Sequence, residues 1–407
     1  MRPSSADAVT AGAPARTPGK GVTWEELFFD LAFVFALTQF SRLLHEHHGW
    51  SGIGRTLILF ITVYWAWGGV TLYADQRDLS PVLDRVGILT LGLGSLLMAL
   101  TIPDAYGKLG LLFISIYLAI RVLLAGLALR RRSGWRALFV GPYGVVLLTG
   151  PLLLAGALMQ DRARIVLWTV AATIDLLSPW AARHLVVPGR TQPLHYSHRY
   201  GLLIILVLGE SVIQVGAVAV DDSLTLARIT AIVAAYALVA ALWWVYFGYG
   251  LPHFRRALEQ APNQADVRRG LLIYGHLFFS FGIVTISVGL SAVVPAPLDP
   301  LPDNPANLLF GGCALFLLTF AYTQWRTHRM LTWHRLGAGL VCLALLPLAT
   351  LIPAIAAVAA LVLVVALMAA GEELATRRRG GDAPHATTEI RSYGDADPTD
   401  RGPVSGE

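Results

Sequence analysis

Five ionisable residues interrupt long apolar runs of this chain: Asp30, Arg121, Asp175, Glu210 and His276. Charge in hydrocarbon is costly, so such residues usually face the protein interior and mark an ion or substrate pathway. Glu26 precedes Asp30 by four positions, which on a helix sets the two carboxylates about 40° apart and about 6 Å along the axis. Arg199, Glu210 and Gln214 are spaced by 11 and 4, so the three share one helix face within about 60°. His276, Ser280, Ser287 and Ser291 make a similar stripe, suited to a hydrated path or to hydrogen bonds between helices.

The chemistry these types could do is proton or cation handling. Asp30, Asp175 and Glu210 are three acids against one buried base, Arg121, with Glu26 nearer the membrane interface. One acid can pair with Arg121; the others need a proton or another partner. Acids beside a histidine are the usual parts of proton relays. The competing reading is a purely structural polar core.

Apolar helices must position these groups. The chain has 407 residues, of which 55% are hydrophobic and only 14% charged. Its mean hydropathy is +0.60. Soluble domains carry about a quarter charged residues, so the composition indicates a polytopic membrane protein. Runs of about 20 apolar residues favour an all-α bundle over a β-barrel. Spans are expected at 24–44, 53–74, 83–102, 108–129, 137–158, 164–184, 199–220, 227–250, 269–294, 306–325, 335–352 and 354–371. Leu351-Ile352-Pro353 is read as a tight turn between the last two.

Basic residues orient this ladder. With both termini cytoplasmic, 24 of the 31 Lys and Arg side chains fall to the cytoplasmic side and 6 to the other, with Arg121 inside a span. That bias is a strong positive-inside signal and requires an even number of spans, hence twelve. Residues 1–22 read as a flexible cytoplasmic tail, 23–371 as the membrane domain and 372–407 as a disordered cytoplasmic tail. Twelve spans permit two six-span halves, 23–184 and 199–371. Measured from the cytoplasmic helix ends, Asp30 and His276 are about 10 Å deep, Asp175 about 12 Å, Arg121 about 14 Å and Glu210 about 16 Å. Equal depth on five helices suggests one shared polar layer, with Glu26 at its mouth.

Other features are quieter. Cys313 and Cys342 lie inside spans without metal-ligand spacing and read as packing residues. His45, His47 and His48 read as solvated loop residues. Tyr64, Trp65 and Trp67 read as packing or cavity-lining residues, and Trp243, Trp244, Tyr246 and Tyr249 as an interfacial belt. No HExxH, GxSxG or GxxxxGK[ST] pattern occurs, so an enzyme or an ATP-driven pump is not indicated. No metal or cofactor is expected, and the basic pI near 9.3 calls for no nucleic acid.

Three stretches resemble the bacterial low temperature requirement protein A family: TWEELFFDLAFVFALTQF at 23–40, LGESVIQVG at 208–216 and YGHLFFSFGIV at 274–284. Arg121, in YLAIR, fits a position where that family carries arginine. Before the seventh span the family reads His-Leu-x-Glu-Arg; His195 and Arg199 fit, while His198 stands where glutamate is usual, which alters a charge pairing at that entry. The resemblance implies a multi-pass inner-membrane protein associated with growth in the cold, without a settled activity. The residues themselves point first to a secondary transporter or ion-translocating protein acting on an unidentified small solute or ion. An accessory membrane protein acting through lipid or a partner, and an intramembrane enzyme acting on a lipid, are the alternatives. The first alternative would tolerate Glu210→Gln and Asp30→Asn, and the second needs an acid–base pair open to lipid.

Overall fold

The protein is described from a computed structural model, which covers residues 21–47, 49–77, 79, 81–130, 144–181, 193–220, 223–328 and 333–378. Most of both expected tails lies outside these residues, as do 137–143 of the fifth expected span, 182–184 of the sixth, and His48. Among the described residues the chain is all-helical: α1 Trp24–Glu46, α2 Gly49–Asp75, α3 Val82–Thr101, α4 Gly110–Leu129, α5 Val146–Leu158 and α6 Asp161–Ala181. There follow α7 Pro193–Val220, α8 Leu226–Gln260, α9 Gln264–Ser291, α10 Asp303–His328, α11 Trp333–Ala349 and α12 Ala354–Arg378. Nine of these helices are long and apolar enough to cross a membrane; α5 and α11 are apolar but shorter.

Local signals set the ends. Thr23 and Glu26 form a reciprocal capping box that starts α1. Pro193 opens α7, a position where its missing N–H costs nothing. That start lies six residues before the expected 199, and it brings His195 and Arg199 into the first two turns. α8 widens into a π-turn at Tyr246–Gly250 just before Pro252, which cannot continue the i→i−4 ladder. α9 has a longer π-segment, Arg268–Gly275. α11 and α12 are separate helices joined through Pro353, as the Leu351-Ile352-Pro353 turn suggested. α12 runs on to Arg378, past the expected boundary at 371, because Arg335 and His334 of α11 hold Glu372 at 2.6 and 2.7 Å.

Apolar side chains face outward as well as inward, as in a lipid solvent; Leu89, Leu93, Leu96 and Leu100 of α3 are exposed together. The centre is α9, where every residue from His276 to Ser291 except Phe278 is buried. It lies against α10 at glycine contacts: a Cβ on Gly282 would stand 3.1 Å from the Gly312 carbonyl, and one on Gly289 2.5 Å from Leu309 Cβ. Small residues allow this closeness, and dispersion rewards it.

The two sets of six helices pack in the same order. α1 lies against α2 and α3, α3 against α4, α4 against α5, α5 against α6, and α2 against both α4 and α6. Likewise α7 lies against α8 and α9, α9 against α10, α10 against α11, α11 against α12, and α8 against α12. Phe320 of α10 meets Tyr246 and Phe254 of α8, completing the correspondence. α1, α7 and α9 run in one direction and meet where the sets join: Asp30 contacts Arg199, and farther along Thr38 contacts Glu210 and Ser41 contacts Ser287.

Candidate functional site

At the face where α1 begins, three helices bring five ionisable side chains into one buried cluster. Glu26 and Asp30 come from α1, Asp75 from the last turn of α2, and His195 and Arg199 from α7. Arg199 forks onto Asp30, with Nη1 2.6 Å from Oδ2 and Nη2 3.0 Å from Oδ1. Its Nε lies 3.2 Å from Glu26 Oε2, Nη1 donates to the Glu26 carbonyl at 3.3 Å, and Nη2 donates to Thr71 Oγ1 at 3.4 Å. Trp67 Nε1 donates to Asp30 Oδ1 at 3.0 Å, and the guanidinium carbon sits 5.6 Å from the Trp67 ring centre. Bidentate geometry of this kind is what allows an ion pair to survive burial.

His195 joins the remaining acids. Its Nδ1 lies 3.2 Å from Asp75 Oδ1 and its Nε2 3.2 Å from Glu26 Oε2. Carboxylates only accept, whereas a neutral imidazole donates from one nitrogen alone. Both contacts are therefore hydrogen bonds only if the triad holds one proton beyond that of a neutral imidazole, on the ring or on a carboxyl. Three carboxylates face one guanidinium here, so the extra proton also brings the cluster within one charge of neutrality. With that proton present, Glu26, His195 and Asp75 form one hydrogen-bonded triad.

The other expected site residues do not join this cluster. Asp175 of α6 accepts from Thr149 Oγ1 at 3.3 Å and Tyr117 Oη at 3.5 Å, between α4, α5 and α6. Arg121 is on the same side of the bundle, its guanidinium carbon 5.9 Å from the Tyr117 ring centre and Nη1 3.5 Å from the Trp65 carbonyl. Glu210 accepts from Gln214 Nε2 at 2.6 Å and Thr38 Oγ1 at 2.9 Å. His276 stands in an aromatic surround of Tyr200, Tyr246, Phe254 and Phe279. Its Nδ1 is 3.1 Å from the Leu271 carbonyl, an acceptor, so Nδ1 carries a hydrogen, and Nε2 lies 2.5 Å from Tyr246 Oη. In an uncharged ring this sets the Nδ1–H tautomer, with Nε2 accepting from Tyr246 and both nitrogens occupied. Tyr246 opens the π-turn of α8 and His276 directly follows the π-segment of α9, where Tyr64 Oη donates to the Ile273 oxygen at 2.8 Å beside the His276 backbone N–H.

Several expectations are thereby corrected. Equal depth on five helices does not make one site, because the side chains leave their helices in different directions. Arg121 is not the single buried base: Arg199 is wholly enclosed and takes both Asp30 and Glu26. Glu26 is not an open mouth residue, since Thr23, His195 and Arg199 close over it. Tyr246 leaves the expected interfacial belt for the interior, while Trp243 and Trp244 stay exposed. Tyr64 and Trp67 pack in the core, Trp67 with a polar duty as well. His45 meets Ser291 Oγ at 3.0 Å. Cys313 and Cys342 are free and buried. His198, half-buried, faces His195 and Arg255, so a glutamate in its place would have met positive charge. Asp75 and His195 fall just outside the expected spans 53–74 and 199–220 but inside α2 and α7; Pro193 as a helix opener is the signal in the sequence that reaches His195.

Among the described residues no group of three or more His, Cys, Asp or Glu side chains is arranged to hold a metal ion. A family profile described as bacterial low temperature requirement A protein (LtrA) matches residues 21–370. The chain is 29% identical over 349 residues to the uncharacterized protein RA0937 of Rhizobium meliloti (strain 1021), covering 82% of this chain and 84% of that protein. No solved structure matches the chain.

Proposed function

The chain belongs to the bacterial low temperature requirement A (LtrA) family, and for this member we propose a proton-translocating role, as a secondary transporter of a small solute or ion. The observation that carries the reading is His195, with a carboxylate on each ring nitrogen and the Arg199–Asp30 fork beside it. A proton accepted from Asp75 at Nδ1 lets Nε2–H pass its proton to Glu26: the Asp75 O–H and Nε2–H bonds break, an Nδ1–H and a Glu26 O–H bond form, and the imidazole ends neutral. Arg199 holds Asp30 and approaches the same Glu26 oxygen, Oε2, that His195 faces, so it sets the charge against which that proton moves.

The like packing of α1–α6 and α7–α12 supports the same reading. We take them as two six-helix halves with α1 and α7 parallel, an arrangement suited to rocking about sites at their junction. Twelve crossings of a bacterial inner membrane, with both termini cytoplasmic, accord with the basic bias and would place the His195 cluster toward the cytoplasm. Purified protein in liposomes tests the proposal through dissipation of an imposed pH gradient. Folded wild-type protein that leaves the gradient intact, with and without candidate solutes, would overturn it.

The second reading, an accessory membrane protein, draws on the same cluster as a rivet joining α1, α2 and α7. It expects isosteric neutral replacements that preserve the fold, such as Glu26→Gln, to preserve the cellular role.

A further inference from the structure

The cluster at His195 reaches only part of the way along α1. Beyond Asp30 the helix presents Phe33 and Leu37, which with Leu203 and Val207 of α7 are buried and apolar. Polar contacts resume at Thr38, about 12 Å farther along. From there Thr38, Ser41 and His45 of α1 face Glu210 of α7 and Ser287 and Ser291 of α9.

Glu210 differs from the acids of the first cluster in lacking a base. Its hydrogen-bond partners among the described residues are the Thr38 and Ser41 hydroxyls and the Gln214 amide. Residues 201–220 of α7 contain no other charged or histidine side chain until the chain leaves the helix, and residues 277–291 of α9 contain none. On α1 the charged groups of this half are Arg42 and Glu46, exposed and paired with each other at 2.8 Å, and the titratable His45. On α8, packed against α7, Arg228 lies at the helix start and bonds to the Ser223 and Pro295 carbonyls. A carboxylate buried without a cation is tolerated in hydrocarbon when it takes up a compensating positive charge.

The hydrogen bonds already accommodate a proton. Thr38 Oγ1 is within reach of two acceptors, Glu210 Oε2 at 2.9 Å and the Val34 carbonyl at 3.4 Å, but owns one hydrogen. Given to Glu210, that hydrogen serves a carboxylate; given to Val34, it leaves Thr38 free to accept from a protonated Glu210. Gln214 can donate to Oε1 in either state. Ser41 Oγ, which also bonds Glu210, lies 3.4 Å from Ser287 Oγ with either able to donate, and one turn farther on Ser291 Oγ lies 3.0 Å from His45 Nε2. Ser211 Oγ, next to Glu210, is fully buried with no hydrogen-bond partner among the described residues. A buried hydroxyl in that condition marks a place where a small polar guest is welcome.

The geometry points to Glu210 as a second proton-binding site, serving the face where α1 ends through the hydroxyl line from Thr38 to His45. It extends the proton-translocation reading and rests on it for direction: Phe33, Leu37, Leu203 and Val207 separate the two sites, so each site lies toward its own face. The proton moves from Glu210 toward His45 by breaking one O–H bond and forming the next along Thr38, Ser41 and Ser287, a water molecule carries it across the one turn to Ser291, and the Ser291 O–H bond breaks as a His45 N–H bond forms.

Infrared titration of the purified protein tests this without any transport assay. The protonated-carboxyl stretch of Glu210 is expected in wild-type protein and absent from Glu210→Gln, whose shape is retained and whose folding is checked by thermal unfolding. An unchanged carboxyl signal in Glu210→Gln overturns the site. Loss of the wild-type signal on adding sodium at constant pH also overturns it, in favour of a sodium site. Should Glu210→Gln fail to fold, Thr38→Val and Ser287→Ala supply the same test through a shift of the Glu210 signal, and no shift in either overturns the hydroxyl line. Liposomes that leave a pH gradient intact would refute the transport reading while leaving the infrared result standing.

Discussion

Replacing Arg199 by methionine tests whether the cluster is built as the distances indicate. Methionine fills much of the arginine volume but removes the fork to Asp30, the edge contact to Glu26, and the donations to the Glu26 carbonyl and Thr71. Removing one partner of a buried ion pair costs about 3–5 kcal/mol, since the stranded charge keeps its desolvation penalty. About 4 kcal/mol is nearly a thousandfold in the folding equilibrium. Lysine at 199 keeps the charge but cannot span both Asp30 oxygens, so a smaller loss of roughly 1–2 kcal/mol is expected. Asp30→Asn added to Arg199→Met should cost much less than Asp30→Asn alone, with a coupling of about 2 kcal/mol or more. Reversible denaturant unfolding in mild detergent, followed by tryptophan fluorescence, reads all four proteins. An Arg199→Met loss under about 1 kcal/mol, or additive single and double variants, would refute a tight buried pair.

Three further outcomes follow from other parts of the structure. Tyr246→Phe leaves His276 Nε2 without its donor and should lower stability by about 1–3 kcal/mol, with proton flux per folded molecule unchanged, because His276 is held in one neutral tautomer. Gly289→Leu drives a side chain into Leu309, where even a Cβ has no room, and should separate α9 from α10; protease accessibility of the purified protein rises if so. Leu93→Ala on the exposed outer face of α3 should change unfolding by less than about 0.5 kcal/mol in the same detergent, since it opens no internal cavity.

Much of the architecture could be read from residue order alone. Apolar runs of bilayer length placed most helix starts within a few residues, although α7 begins six residues before its expected start and α8 and α12 run ten and seven residues past their expected ends, and Pro353 marked the break between α11 and α12. Depth along a helix also follows from counting residues, and by that measure Asp30, Asp175, Glu210 and His276 lay in one layer. Which way each side chain points relative to neighbouring helices does not follow from counting, and the layer divides on that account. Asp175 turns toward Thr149 and Tyr117, whereas Asp30 turns toward Arg199. Periodicity cannot anticipate a π-turn either, and two of them bring Tyr246 to His276. His195 and Asp75 sit in terminal turns, where hydropathy weakens and a helix reads as a loop. The charges that matter most at the cluster were thus the hardest to assign to it.

The central claim is that His195 carries the proton shared by Glu26 and Asp75. Rates of pH-gradient decay in liposomes containing equal amounts of folded wild-type and His195→Gln protein test it directly. Glutamine can span the two acids but cannot exchange a proton between them, so the account predicts decay slowed at least tenfold with unfolding little changed. Equal rates in the two proteins would contradict it.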